Sequence, residues 1–326
     1  MAYFYKENPA LEAQINEYFK RLSDYNDEAF GGALSLILLG SLSRGEATWT
    51  SDGGLRLLSD IEYFTVYPQG FNAFGEFEKF SQEAAKAVFG EGNSALFHID
   101  NTFVLQDNLP KMERKLLTYD AKQIGKTVVG QDRVQCLPDI DAENINFCDI
   151  KDILTHRAFS MLYYGLPFKR SGQITEYRYC LAKNSLDLMT VMLLSNGLLA
   201  SGFINRLKLV CDLPIQKRIK DYFSFCLSVK LSTDCEFDFS IEEMEEIFIS
   251  LLKDLYKNFK IPVRNVFINK KFVIRRILGM TKRAIKYRHI PRFNHLPDLI
   301  KSYEKEMLLQ ERQRTNNLVI NGYPKQ

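Results

Sequence analysis

Two stretches of this 326-residue chain decide the fold that we predict: Leu34-Ser-Leu-Ile-Leu-Leu-Gly-Ser41 and Asp60-Ile-Glu-Tyr-Phe-Thr-Val66. The first is an apolar run that ends in a glycine-serine pair, and the second begins 19 residues after Ser41 with two acids that flank an isoleucine. Short apolar runs bounded by turn residues are typical of buried β-strands. Because side chains alternate along a strand, Asp60 and Glu62 are expected on one face while Ile61 enters the core.

Paired carboxylates beside a glycine-serine turn predict a particular kind of site. Two carboxylates on one strand face repel each other unless cations neutralise them. Mg²⁺ prefers oxygen ligands and is commonly shared between protein carboxylates and the phosphates of a substrate. The backbone N–H groups of a turn such as Gly40-Ser41 can bind phosphate oxygens. The combination therefore predicts a site for a nucleoside triphosphate and its metal ions.

The order of these motifs resembles the nucleotidyltransferase superfamily, whose fold is shared by DNA polymerase β, kanamycin nucleotidyltransferase and protein uridylyltransferase. Members have a hydrophobic run, Gly-Ser or Gly-Gly, a spacer, and then acid-hydrophobic-acid on a strand; here the pattern falls on residues 38–46 and 59–63. The spacer is longer than usual, so we interpret residues 47–58 as an insertion with a turn at Asp52-Gly53-Gly54. Asp52 has the usual distance from Gly40-Ser41, but the residue two beyond it is a glycine.

A third acid lies on the next predicted strand, residues 95–105, which alternates apolar and polar residues at its centre. Phe97 and Ile99 share one face of that strand, and His98 and Asp100 share the other. The resemblance implies a third catalytic carboxylate on such a strand, so Asp100 is the candidate for a metal ligand and for the base that takes a proton from the acceptor hydroxyl. The alternative is an ordinary polar position on a sheet face. The resemblance covers roughly residues 30–135.

Cations that balance the triphosphate are expected from both halves of the chain. Arg44 closely follows the Gly-Ser pair, and Lys183 lies on a predicted helix that resembles the one supplying a lysine to the triphosphate in such enzymes. Arg157 and Arg206 are weaker candidates for the same role. Lys183 has a simpler alternative, because Asp187 lies four residues later and could pair with it on the helix surface.

Charge and periodicity divide the chain into two predicted domains. Residues 1–150 carry 13 Lys and Arg against 23 Asp and Glu, whereas residues 151–326 carry 30 against 17. The first half mixes strands with helices, and the second shows only helical patterns, including a capping box at Ser240–Glu243. We predict the α+β class, with a small mixed-sheet nucleotidyltransferase domain at 1–145 and an all-helical domain at 146–326. The predicted elements are helices over 9–24, 73–89 and 179–195, and strands over 33–40, 60–67, 95–105 and 126–129.

Residues 257–292 form the most basic segment of the chain, with twelve Lys and Arg and no Asp or Glu. Within it, residues 272–288 have helical spacing, and their basic face would suit an anionic partner such as nucleic acid, a membrane surface or an acidic protein. The simpler alternative is a helix that packs on its own domain and exposes a solvated basic face.

Composition argues against several other classes of protein. No apolar run approaches the length of a transmembrane helix, and the N-terminus lacks the basic and apolar regions of a secretory signal. The six cysteines show no C-x-x-C pairing, which is typical of reduced thiols rather than of a metal site or a disulfide framework. We therefore expect a cytoplasmic protein.

Together with the resemblance, these patterns predict a Mg²⁺-dependent nucleotidyltransferase. It would move a nucleoside monophosphate from a triphosphate such as ATP to an acceptor hydroxyl and release pyrophosphate. The resemblance implies two Mg²⁺ ions, with Mn²⁺ as a substitute, at a site formed by the predicted metal ligands Asp60, Glu62 and Asp100. It implies phosphate contacts from Gly40, Ser41, and either Arg44 or Lys183.

The sequence leaves several questions of function open. The acceptor could be a small molecule such as an aminoglycoside, a protein side chain or an RNA end. Two other classes of protein also remain: a catalytically silent nucleotide-binding regulator on the same fold, and a nucleic-acid or membrane-surface binding protein that acts through its basic helix.

Overall fold

The computed structural model describes residues 2–51, 54–90, 97–145, 147–232 and 236–258. The first long helix shows how the sequence sets its elements. Its N-terminus is fixed by Asn8, whose side chain accepts a hydrogen bond from the Leu11 N–H (3.1 Å), and by Pro9 in the first turn. It ends at Gly31, which has the left-handed φ of +59° that glycine adopts most readily. The predicted helix is confirmed, but it continues to Phe30 rather than ending at residue 24.

Four of the strands form one mixed sheet, as the sequence predicts. In sequence order they are β1 (Ser35–Leu38), β4 (Ile61–Tyr67), β5 (Ile99–Leu105) and β6 (Lys126–Val129). Strand β6 has the predicted bounds, β4 and β5 begin later than predicted, and β1 is two residues shorter at each end. The order in the sheet is β5-β4-β1-β6, with β4 parallel to β5 and β1 antiparallel to both β4 and β6. The two strands that carry the predicted acids are therefore neighbours that run in the same direction.

The spacer between Gly40-Ser41 and the acids forms its own small structure. It contains two short antiparallel strands, β2 (Trp49–Thr50) and β3 (Arg56–Leu57), which we call the hairpin. Two residues of the predicted turn, Asp52 and Gly53, lie outside the described residues. The predicted insertion thus adds a hairpin beside the sheet and leaves β1 and β4 paired.

The described helices include long elements in both halves of the chain. They are α1 (Pro9–Phe30), α2 (Gly40–Arg44), α3 (Phe74–Phe89), α4 (Leu116–Ile124), α5 (Phe147–Ser160), α6 (Leu166–Arg170), α7 (Ile174–Ser195), α8 (Phe203–Asp212), α9 (Lys217–Leu231) and α10 (Ile241–Asn258). A π-helical turn at Met161–Gly165 joins α5 to α6. From Phe147 onward the described residues form helices and connections without strands, and this confirms the predicted α+β class.

Two of these helices can be compared with specific predictions from the sequence. The capping box at α10 is confirmed: the Glu243 N–H donates to Ser240 Oγ (3.1 Å), and the Ser240 N–H donates to Glu243 Oε2 (3.1 Å). Helix α7 begins at Ile174, five residues before the predicted start. The predicted basic helix at 272–288, and nearly all of the basic segment 257–292, lie outside the described residues.

Buried side chains form a core on each face of the sheet and a third core among the later helices. Ile61 and Tyr63 belong to the core that α1 and α3 cover, and Phe64 and Val66 belong to the core beneath α4. The largest cluster runs from Ile140 to Leu255. Ile61 is fully buried, as its alternation with the two acids predicts. Among the described residues, no helix combines the length and apolar character needed to cross a membrane.

Candidate active site

The structure brings the three predicted acids together at one end of the sheet. Glu62 on β4 lies opposite Asp100 on β5 in the parallel register, and Asp60 immediately precedes β4. One carboxylate oxygen from each of Asp60, Glu62 and Asp100 lies within 4.8 Å of the others. We call these three residues the acid triad. It joins residues 40 positions apart because parallel pairing sets the two strands in register.

Gly40 fits closely against the acid triad. It follows the buried strand β1 by two residues and has a φ of +64°, in the left-handed region. A Cβ atom at this position would overlap the Glu62 carboxylate and displace it, and the left-handed φ itself favours glycine here. Gly40 and Ser41 begin the short helix α2 rather than the open turn that the sequence predicts.

Asp60 already has a partner on each of its oxygens. Its Oδ2 accepts a hydrogen bond from Lys183 Nζ at 2.9 Å, and its Oδ1 accepts one from the His98 backbone N–H at 3.1 Å. Lys183 therefore reaches the acid triad from α7. The alternative pairing of Lys183 with Asp187 is wrong, because Asp187 Oδ2 lies 2.8 Å from Arg157 Nε instead.

Burial and neighbouring charges shift the pKa values of Glu62 and Lys183 at this site. Burial is the main cause that raises the pKa of Glu62 above its usual value, and Asp60 and Asp100 raise it further while Lys183 opposes them. Burial works to lower the pKa of Lys183, but Asp60, Tyr179 and Glu62 together raise it above its ordinary value. One charged lysine thus faces three carboxylates.

Two arginines that the sequence nominates have carboxylate partners elsewhere. Arg44 Nε donates to Glu46 Oε2 at 2.7 Å, and its Nη1 lies 3.6 Å from Asp120 Oδ2. Arg206 Nη2 donates to Asp120 Oδ1 at 2.6 Å and its Nε donates to the Ala200 carbonyl. We call Arg44, Glu46, Asp120 and Arg206 the arginine cluster. Burial acts to lower the pKa of Arg44, but Glu46, Asp120 and, more weakly, Glu62 together raise it above its ordinary value.

A buried lysine next to this site was not predicted. Lys230 Nζ donates to Thr48 Oγ1 and Ser59 Oγ, both at 2.9 Å, and to the Tyr179 hydroxyl at 3.3 Å. Tyr179 lies one turn before Lys183 on α7, so both face the end of β4. The pattern held a signal for Lys230: it lies four residues after Cys226 and seven after Phe223, on the apolar stripe of α9.

The donor set of the acid triad fits a hard divalent cation. All three side chains offer carboxylate oxygens, which Mg²⁺ and Mn²⁺ prefer. Burial first, and then the neighbouring Asp60 and Asp100 carboxylates, raise the pKa of Glu62, and a dication at the acid triad would favour its charged form. A metal ion held by these ligands would therefore be an oxygen-preferring one.

Comparisons with known proteins give a distant likeness. No protein-family model matches the chain, and no curated protein matches it. Among solved structures, it is similar to a spectinomycin adenyltransferase from Enterococcus faecialis, determined with ATP and spectinomycin. The likeness has a TM-score of 0.46 and 14% sequence identity, and it covers 75% of this chain and 98% of that chain.

Proposed function

We propose that this protein is a Mg²⁺-dependent nucleotidyltransferase that moves a nucleoside monophosphate from a triphosphate to an acceptor hydroxyl. The observation that carries the proposal is the acid triad, in which Asp60, Glu62 and Asp100 present oxygens within 4.8 Å of one another. The net negative charge there is what divalent metal ions, shared with the phosphates of a triphosphate, would neutralise. The acid triad would hold the ions, and bound Mg²⁺ would supply positive charge for the attacking and leaving oxygens of the displacement.

The phosphates would be held by groups on either side of the acid triad. The Gly40–Ser41 backbone approaches Glu62 closely, so a metal-bound phosphate chain would lie next to it. Lys183 is the cation that we assign to the phosphates, because its amine already lies at the acid triad, 2.9 Å from Asp60. Arg44 is the weaker choice because Glu46 and Asp120 engage its guanidinium. When a triphosphate and its metal enter, Lys183 would exchange Asp60 for a phosphate oxygen.

We assign Asp100 to the acceptor. It is the exposed member of the acid triad, whereas Asp60 and Glu62 are only partly accessible. An acceptor hydroxyl approaching from solvent would meet Asp100 first and transfer its proton to that carboxylate. The acceptor oxygen then bonds to the α-phosphorus as the bond from that phosphorus to the bridging oxygen breaks, and pyrophosphate leaves with the bonding electrons.

The test follows the α- and γ-phosphates separately. The full chain is incubated with each of the four nucleoside triphosphates, labelled at one or the other phosphorus, with Mg²⁺ or with EDTA. Acceptors are aminoglycosides, protein and RNA. We expect the α-label on an acceptor and the γ-label in pyrophosphate, with Mg²⁺ only. Asp60→Asn should abolish transfer, and Glu76→Gln, a change of an exposed acid on α3, should leave it intact. Transfer that survives in Asp60→Asn would refute the assignment.

A silent nucleotide-binding regulator is the second candidate, and one observation favours it. Both oxygens of Asp60 already have donors, from Lys183 and from the His98 backbone, so the carboxylate is stably engaged by the protein itself. A regulator would bind a nucleoside triphosphate and leave it intact. Calorimetric binding of a triphosphate without release of pyrophosphate in any acceptor mixture would favour this candidate over the enzyme.

A further inference from the structure

A cavity of about 310 Å³ opens between the hairpin and the helical half of the chain, away from the acid triad. Its walls come from the hairpin, from the first turns of α7 and from the end of α9. Thr48, Trp49 and Ser51 line one side, and Thr175, Arg178 and Ser232 line the other. None of the three acids contributes to the lining.

Tyr179 separates this cavity from the candidate active site. The tyrosine lines the cavity, yet it is buried and its hydroxyl accepts a hydrogen bond from Lys230 Nζ, which also donates to Ser59 just before Asp60. Along α7, Thr175 in the cavity wall is eight residues from Lys183 at the acid triad. At 1.5 Å per residue this is about 12 Å. The cavity therefore adjoins the candidate active site, and the buried Tyr179 lies between Thr175 and Lys183 along α7.

The chemistry of the lining favours a negatively charged guest. Lys6 and Arg178 are its charged residues, and no Asp or Glu is among the described residues that line it. Arg178 Nε is buried and has no hydrogen-bond partner in the described part of the chain, which is costly unless a guest supplies an acceptor. Lys6 Nζ lies 5.9 Å from the centroid of the Trp49 ring, so a cation and an aromatic surface meet at one position.

The walls are held by hydrogen bonds that do not need a guest. Trp49 Nε1 donates to the Lys6 carbonyl (3.1 Å), and Ser232 Oγ donates to the Trp49 carbonyl (3.1 Å). Thr48 Oγ1 donates to the Lys230 carbonyl at 2.5 Å, so the hairpin is fixed to the end of α9. A site whose walls are already ordered loses less entropy when it binds.

We propose that this cavity binds a second small molecule, a planar aromatic anion, whose ring lies against Trp49 and whose phosphate or carboxylate lies between Arg178 and Lys6. A volume of about 310 Å³ is near the lower end of the range for small-molecule sites, which suits a guest no larger than a mononucleotide. Arginine binds both phosphate and carboxylate in a bidentate manner, so the two sources of charge are tested separately. The proposal is independent of the proposed transferase activity.

Trp49 gives a direct signal for this site because it is the one tryptophan of the chain. The full chain in EDTA is titrated with AMP and with benzoate while tryptophan fluorescence and calorimetric heat are recorded. Adenosine alone and inorganic phosphate alone are the control ligands; they measure the contributions of the ring and of the negative charge separately. We expect saturable binding of AMP, of benzoate or of both, and weaker binding of adenosine and phosphate. Failure of both AMP and benzoate to bind would overturn the proposal.

Variants locate the binding. Arg178→Gln should weaken the affinity about tenfold or more, as expected for loss of a charged hydrogen bond. Lys208→Gln, at an exposed position on α8 outside the lining, is the matched control and should bind like the parent. Asp60→Asn should also bind like the parent, since binding lost with Asp60→Asn would place the guest at the acid triad instead. If Arg178→Gln fails to fold, Arg178→Lys replaces it, and unchanged affinity in a folded variant refutes the site.

Discussion

The short helix α2 contacts two groups of charged side chains, and the balance of positive and negative charge differs between them. The arginine cluster holds two arginines and two carboxylates, with side chains no more than 10% exposed. The acid triad holds three carboxylates against Lys183. In a balanced group each charge is compensated by a partner within the protein, whereas a group with excess carboxylates favours a bound cation. The comparison predicts that changes in the arginine cluster affect stability and that changes in the acid triad affect activity.

The arginine cluster joins the sheet to the helical half of the chain. Arg44 and Glu46 follow the Gly-Ser pair, Asp120 belongs to α4, and Arg206 belongs to α8. Glu46 Oε1 also accepts a hydrogen bond from the Ile204 N–H at the start of α8 (3.1 Å). The cluster therefore fixes α8 against the segment that positions Gly40, so it supports the acid triad without belonging to it.

The largest effect that we predict comes from breaking the balance of the arginine cluster. Arg206→Met should lower the free energy of unfolding by about 3–5 kcal/mol, because it leaves the buried Asp120 without its 2.6 Å partner. Urea denaturation measures the change. Arg218→Met removes an exposed pair with Glu243 and should change the free energy by no more than about 1 kcal/mol. An equally small loss for Arg206→Met would show that the balance is not structural.

The next prediction tests whether the acid triad contributes to turnover rather than to stability. Asp100→Asn should reduce turnover about a hundredfold or more, the effect of losing a general base. The free energy of unfolding should change little, because Asp100 is exposed and removing one of three crowded carboxylates relieves repulsion. Kinetics with the labelled triphosphate and urea denaturation are measured on the same protein. Normal turnover in Asp100→Asn would show that Asp100 is not the general base.

The third effect is the response to metal and nucleotide. Mg²⁺ with the triphosphate should raise the melting temperature, because a ligand that binds the native state at about 100 times its Kd stabilises it by about 2.7 kcal/mol. Asp60→Ala with Glu62→Ala should remove most of this shift. Glu17→Ala, an exposed acid on α1, is the control and should keep the full shift. An equal shift in the double variant would place the metal outside the acid triad.

The sequence predicted two members of the acid triad from a local signal, the alternation of Asp60, Ile61 and Glu62 along a strand. It predicted Asp100 through the resemblance, and the structure brings Asp100 beside Glu62 by parallel pairing of β4 and β5. The sequence could not predict the partner of Arg206, because an ion pair with Asp120, 86 positions away, depends on how the helices pack on the sheet. The same reason explains the error over Asp187, whose helical neighbour Lys183 reaches across to Asp60 instead.

Lys230 is a buried lysine that belongs to neither the arginine cluster nor the acid triad, and it has no carboxylate among its hydrogen-bond partners. Its three side-chain hydrogen bonds go to the hydroxyls of Thr48, Ser59 and Tyr179. Burial lowers the pKa of Lys230 below its ordinary value of 10.5, and the Tyr179 charge opposes this only in part. Burial acts to raise the pKa of Tyr179, but Lys230 and Lys183 outweigh it and lower that pKa below 10.0.

The smallest effect that we predict is therefore a pH dependence with a definite sign. Between each lowered pKa and its ordinary value, the unfolded chain binds a proton that the native state has lost, so stability rises with pH in that range. Lys230→Met removes the lysine's part of this rise and also the cation that lowers the pKa of Tyr179. Urea denaturation from neutral pH to pH 10 should show the parent gaining stability relative to Lys230→Met. Lys208→Met, at an exposed position, should run parallel to the parent. If the stability of Lys230→Met changes with pH in the same way as that of the parent, Lys230 keeps its proton in the native state. The neighbouring hydroxyl groups would then be enough to stabilise its buried charge.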